Sequence, residues 1–182
     1  MNFGFQLRLR CFGRDEKGAA AVEFALVAVF IMVPLLLGSV DLIDAMNANS
    51  RTQNVAASLA DVVARDTEVS NDEVAGYWDA LEVLIYPNNA TDVEVRITSI
   101  RIVNATTATV VWSEGHGMTA LNAGSSVTGL AAAMMNPGTS IIMAESSYTY
   151  ETPMGFLFED GITFRHKAYR RSRLVDPIPR VS

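Results

Sequence analysis

Gly18-Ala-Ala-Ala-Val-Glu23-Phe-Ala-Leu-Val-Ala-Val-Phe-Ile-Met-Val-Pro34-Leu-Leu-Leu-Gly-Ser-Val40 is the stretch that decides how this chain is built. From Ala19 to Val40 it holds a single charged residue, Glu23. At about 1.5 Å rise per residue a helix of that length spans roughly 30 Å, the hydrocarbon thickness of a bilayer. Each Leu, Ile, Phe and Val favours insertion by about 0.3–0.6 kcal/mol, against about 2.5–3.5 kcal/mol for a charge at mid-membrane and less near the end, where Glu23 sits. The balance predicts a membrane helix over 19–40. The run is longer than the roughly 7–15 residues of a secretory signal core, and no clean A-x-A site follows it. Pro34 is tolerable inside a membrane helix, where it is expected to kink the axis.

An intramembrane carboxylate usually has a partner. The charged segment Arg14-Asp15-Glu16-Lys17 ends at Gly18, and Glu23 is the fifth residue after it. A chain cut after Gly18 would carry the new ammonium of Ala19 at the membrane edge, with the Glu23 carboxylate one helical turn away. That pair can be satisfied within one chain or between neighbouring ones.

Basic leader, Gly18, four apolar residues, Glu23, the aromatic Phe24 and a long apolar run together resemble the prepilin-peptidase site of type IV pilin-like proteins. More narrowly, Gly18-Ala-Ala-Ala-Val-Glu23-Phe24-Ala-Leu resembles the TadE/TadG-like minor pilins, or pseudopilins, of the tight-adherence (Tad) pilus. The resemblance implies cleavage between Gly18 and Ala19 by a prepilin peptidase and residence in a bacterial inner membrane. It also implies partnership with other pilin subunits and an assembly platform, and a role in building a thin adhesive filament of the kind used in cell adhesion and biofilms. Glu23 and Phe24 would be its assembly residues.

The leader, 1–18, carries Arg8, Arg10, Arg14 and Lys17, while Asp41 and Asp44 flank the far end of the apolar run. The positive-inside rule leaves the leader cytoplasmic and the bulk of the chain periplasmic. Removing the leader's four cations and two carboxylates takes the formal charge from −6 to −8. The exported part is acidic and unsuited to nucleic acid. Cys11, the sole cysteine, lies in the leader, so the outer domain holds no disulfide and depends on packing.

Beyond Val40 no strong breaker appears before Arg65, and Val55, Leu59, Val62 and Val63 recur at helical spacing, predicting an amphipathic helical stalk over 41–66. Its polar part, Met46 to Asn54, is expected to fray. Residues 67–182 then form an extracytoplasmic domain. Ser70-Asn-Asp-Glu73 has the form of a capping box, and Val74, Tyr77, Trp78, Leu81, Leu84 and Ile85 follow an apolar stripe, predicting a helix over about 71–85 stopped by Pro87-Asn-Asn89.

From Asp92 the period becomes two. Val93, Val95 and Ile97, then Ile100 and Ile102, then Ala108, Val110 and Trp112 predict a β-hairpin turning at Asn104-Ala105, with a bulge where the phase slips between Ile97 and Ile100. Gly124 and Gly129 have phosphate-loop spacing, but Leu130-Ala131 stand where Lys and Ser/Thr are needed, and a short helix over about 126–135 is expected instead. Strands are expected within 139–152 and 162–174. Glu145-Ser-Ser-Tyr148-Thr-Tyr150-Glu-Thr-Pro153 with Arg170-Arg-Ser-Arg173 also resembles, more loosely, the C-terminal region of TadE/TadG-like proteins.

The fold class read from these patterns is α+β: a long N-terminal helix with a membrane-spanning first half, then a small antiparallel sheet of about four strands covered by the Trp78 helix. His116 and His166 stand apart, with no H-E-x-x-H, no G-x-S-x-G and no cysteine outside the leader. Catalytic, cofactor and metal sites are therefore not expected. Arg165 to Arg173 is expected to be solvated or to meet an acidic partner subunit. The reading is a non-enzymatic structural or assembly subunit of a Tad-type pilus. The alternative is a single-pass envelope protein whose outer domain binds a ligand or acts as an adhesin on its own.

Overall fold

A computed structural model describes residues 16–152 and 161–182. The leader before Glu16, with Cys11, and the segment 153–160 lie outside the described residues. The main elements are α1 (Glu16–Val63), α2 (Asn71–Ile85), β1 (Val93–Ile102), β2 (Ala108–His116), β3 (Ser126–Val127), β4 (Ser140–Tyr150) and β5 (Ile162–Arg171). The architecture is α+β.

α1 is one helix of 48 residues with Pro34 inside it. Its two halves meet different surroundings. Phe24, Phe30 and Leu35 are each at least 70% exposed, and the other large apolar residues from Val22 to Leu36 are exposed with them. From Ala45 onward the buried positions are Ala45, Ala48, Thr52, Val55, Ala56, Leu59, Ala60 and Val63, a single stripe at helical spacing. That stripe lies on β4 and β5. A free stalk is thus not what residues 45–63 form: they are the main cover of the sheet. Residues 46–54, expected to fray, are regular helix, whereas Val62, expected on the stripe, is exposed.

Small residues on both sides explain the fit. Ala45, Ala48, Ala56 and Ala60 of α1 face a strand surface that includes Ala144 and Ser146 of β4 and Ala168 of β5. The backbones approach closely enough for the Ser146 hydroxyl to donate to the Thr52 carbonyl at 2.7 Å. Thr52 itself donates to the Ala48 carbonyl at 2.8 Å, so its hydroxyl is satisfied within the helix. On the same interface His166 Nε2 and Asn49 Oδ1 are 2.8 Å apart.

α2 begins as expected. The Ser70 hydroxyl accepts from Glu73 N–H at 3.2 Å, and the Glu73 carboxylate accepts from Ser70 N–H at 2.6 Å, closing the capping box. Val74, Tyr77, Leu81 and Ile85 are buried, and the helix packs beside α1. Trp78 is only half-buried, its ring 5.5 Å from that of His116 at the end of β2. The Trp78 helix therefore shares the cover with α1, which takes the larger part.

The sheet has five strands, not four, in the order β3-β2-β1-β4-β5, and all neighbours are antiparallel. The hairpin turn is held by Asn104 Oδ1, which accepts from Thr106 N–H and Thr107 N–H, both at 2.8 Å. The register does shift between Ser99 and Ile100, but only against β2, where Ser99 faces Trp112 and Ile100 faces Val110; against β4 the pairing of β1 is unbroken. The extra residue is Val111, on β2. The phase slip along β1 itself has a different cause. Val93, Val95 and Ile97 face the helices, while Ile100 and Ile102 face the other side and join Ala108, Ile141 and Met143 in a smaller core.

That second core is capped by Leu121, Val127, Leu130, Met134 and Met135. In place of the expected helix over 126–135 the chain forms the two-residue β3 and a single 3-10 turn, Ala132–Met134. Gly124 and Gly129, at φ +80° and +82°, take left-handed conformations that no helix accommodates.

The C-terminal tail closes the domain. Ile178 is fully buried, and its carbonyl accepts from Trp112 Nε1 at 2.8 Å. Val69 N–H donates to the Pro179 carbonyl, Val181 N–H donates to the Val69 carbonyl, and Arg180 meets Glu114 at 2.8 Å.

Candidate processing and assembly segment

Gly18, Ala19, Glu23 and Phe24 all fall at the start of α1, which begins at Glu16. The peptide bond between Gly18 and Ala19 is therefore inside the first turns of a helix. An added Cβ at Gly18 would meet nothing within 4 Å, so this glycine is not demanded by packing inside the chain. Ala19 and Glu23 are four residues apart, neighbours on one helical face. Phe24 is 76% exposed and Glu23 is exposed beside it. Among the described residues nothing in the domain covers this face.

The remaining polar constellations are internal. Glu145 is buried on the sheet face away from the helices, where Lys167 Nζ at 2.7 Å and Arg96 Nε at 2.7 Å donate to its two oxygens. Burial alone would raise its carboxyl, but these hydrogen bonds and charges outweigh it and hold the group below the usual range. Arg173 reaches Asp61 at 2.7 Å and Arg170 approaches the same carboxylate at 3.7 Å. The basic run of β5 is thus divided between the two faces of the sheet, and Lys167, Arg170 and Arg173 find their acidic partners within the chain. A partner subunit is not needed to pair them.

Among the described residues no group of His, Cys, Asp and Glu side chains is placed to hold a metal ion. His116 stacks near Trp78 and His166 is engaged with Asn49. The strand stripe of β4 and the alanine stripe of α1 are what residue-by-residue reading missed, because alanine and serine carry little hydrophobic signal.

Among the described residues α1 is the one helix long and apolar enough to cross a membrane, and its most apolar window is wholly unburied by the rest of the chain. Residues 18–61 match the family model described as TadE-like protein. This segment is TadE-like. The match begins at Gly18 and runs through both halves of α1, about a quarter of the chain, leaving α2 and the sheet outside it. No curated protein and no solved structure matches the chain. A TadE-like segment on a membrane-length helix points to a single-pass membrane protein associated with a Tad pilus.

Proposed function

We propose that this chain is a structural or assembly subunit of a Tad-type pilus, a minor pilin or pseudopilin, cut after Gly18 by a prepilin peptidase. Residues 1–18 are then a cytoplasmic leader and 19–40 the membrane span. The periplasmic domain starts within α1 itself, because residues 45–63 belong to its core, and continues to Ser182. The observation that carries the proposal is the two-sided character of the TadE-like helix: apolar and uncovered to Leu36, then built into the domain from Ala45. A subunit made this way transmits the position of its membrane helix rigidly to its outer domain. Neighbours that pack their membrane helices thereby set the spacing of their sheets.

Glu23 has a place in that packing. After cleavage the Ala19 ammonium and the Glu23 carboxylate share a depth at the membrane edge, where an unpaired charge is costly and an opposite charge within about 4–6 Å favours both ionised forms. Pairing across subunits fixes the axial register of one helix against the next. The test is Glu23→Gln, which keeps the side-chain shape and removes the charge. Insertion and cleavage should persist while crosslinking to other pilin helices and pilus assembly fall. Normal assembly by this variant would overturn the register mechanism.

A further inference from the structure

Where α1 leaves the proposed membrane span, three elements converge on a small notch. Asp44, Asn47 and Arg51 lie on one face of α1, Pro87 and Asn88 follow α2, and Tyr150 ends β4. The cavity they line measures about 270 Å³. That is just below the roughly 300–1,000 Å³ of small-molecule sites, room for a headgroup and not for a larger ligand.

Tyr150 is the residue that marks the notch as unfinished. It is 5% exposed, and its hydroxyl is buried without a hydrogen-bond partner. Burial, and then the carboxylates of Asp44 and Asp41, push its ionisation up, so it stays a protonated donor. An O–H donor without an acceptor is a costly thing to bury. Arg51 donates through Nη1 to the Tyr86 carbonyl, which occupies one of the five guanidinium N–H groups. The notch therefore offers one carboxylate, one guanidinium with donors to spare, one phenol donor and two carboxamides.

The position narrows the ligand. Asp44 is four residues past Val40, about 6 Å along the helix. The polar zone on each side of a bilayer is about 5–7 Å deep. Leu42, Ile43 and Met46, all exposed, continue the apolar surface of α1 beside the notch. A molecule seated there has its charged part against Asp44 and Arg51 and its apolar part along the helix.

We propose that this notch binds the zwitterionic headgroup of a membrane phospholipid that carries a primary ammonium, the ammonium on Asp44 and the phosphate on Arg51 and Tyr150. The proposal rests on the membrane reading of 19–40. A primary ammonium donates three hydrogen bonds to carboxylate and carboxamide oxygens, which a quaternary ammonium does not. Such a lipid would fix the depth at which α1 crosses and the tilt of the domain on the surface.

The test reconstitutes the full chain into vesicles of equal phosphatidylethanolamine and phosphatidylcholine, both without net charge. Flotation reports insertion, and native mass spectrometry of the released protein counts the retained lipids. The expected result is retention of the ethanolamine lipid over the choline lipid by about tenfold, a difference of roughly 1.4 kcal/mol. Asp44→Asn should abolish the preference and Tyr150→Phe should weaken retention, with flotation unchanged and thermal unfolding no lower in either. Equal or reversed retention, or an undiminished preference in Asp44→Asn, overturns the proposal. Binding of free phosphoethanolamine with no preference among lipids also overturns it, since the ligand would then come from solution. A chain that fails to float overturns the membrane reading beneath it.

Discussion

Ser146 on β4 donates its hydroxyl to the backbone carbonyl of Thr52 on α1 at 2.7 Å, with both residues buried. A hydrogen bond from a strand side chain to a helix backbone requires the two to lie close, and alanines on both elements, Ala48 and Ala60 on α1 and Ala144 and Ala168 on the strands, belong to the same core. The same helix is bare and apolar thirty residues earlier. This contact is where the TadE-like segment becomes part of a folded domain.

Replacing Ser146 should read out that closeness. Ser146→Ala loses one hydrogen bond and should cost about 0.5–1.5 kcal/mol. Ser146→Leu forces volume into a filled interface and should cost more, about 1–3 kcal/mol or beyond. Denaturant unfolding of the detergent-solubilised chain, followed by tryptophan fluorescence, checks the order. A leucine tolerated as well as the alanine would mean that α1 stands off the sheet.

Two residues of α2 should differ in weight. Leu81 is 1% exposed and Trp78 half-buried at the margin. Leu81→Ala is expected to destabilise by about 2–5 kcal/mol, and Trp78→Ala to fall short of the 3–5 kcal/mol typical of a core tryptophan. If the tryptophan variant proves the less stable one in the same unfolding experiment, Trp78 carries more of the core than its half-burial indicates.

The C-terminal tail is a strap that joins β2 to the link between the helices. Removing 176–182 strips Trp112 Nε1 of its acceptor and opens the site of Ile178. Ile178→Ala alone should cost about 2–5 kcal/mol. Red-shifted tryptophan emission in the truncated chain, at a denaturant concentration where the full chain is native, is the expected sign. Identical emission and midpoint would show the strap to be ornamental.

Glu145 gives the domain a defined acid sensitivity. Its folded-state ionisation lies below the ordinary value of about 4.3, so between the two values the unfolded chain binds more protons. Stability from this group is complete above the unfolded value and is lost as pH falls through the folded one. Glu145→Gln should therefore be less stable than the native chain at neutral pH and lose less on going from about pH 5 to pH 3. Parallel pH profiles for the two proteins would remove Glu145 as a source of that slope.

Sequence alone made some of this legible and hid the rest for physical reasons. The apolar run from Ala19 to Val40, the Ser70–Glu73 capping box, the alternation in β1 and β2 and the strand-forming composition of β4 and β5 are strong local signals, and each corresponds to an observed element. The packing of α1 was not legible, because Ala45, Ala48, Thr52, Ala56 and Ala60 look neutral on a hydrophobic scale while their smallness is what lets the helix dock. Val62, by contrast, looks like core and is exposed. The phase slip between Ile97 and Ile100 coincides with a real register shift against β2, but the second core behind it was not legible, since a change of covered face and an inserted residue shift the period in the same way. In the N-terminal segment the motif of Gly18, Glu23 and Phe24 is plain in the sequence, and its geometry adds only that all three lie on an uncovered helix.

Processing at that motif is the hinge of the account, because the ammonium that answers Glu23 exists only after cleavage. The direct measurement is the intact mass and N-terminal sequence of the protein extracted from membranes of a host with an active prepilin peptidase. The account predicts a chain beginning at Ala19, and a Gly18→Val variant that retains its leader. A protein that still carries Met1 in that host would contradict it.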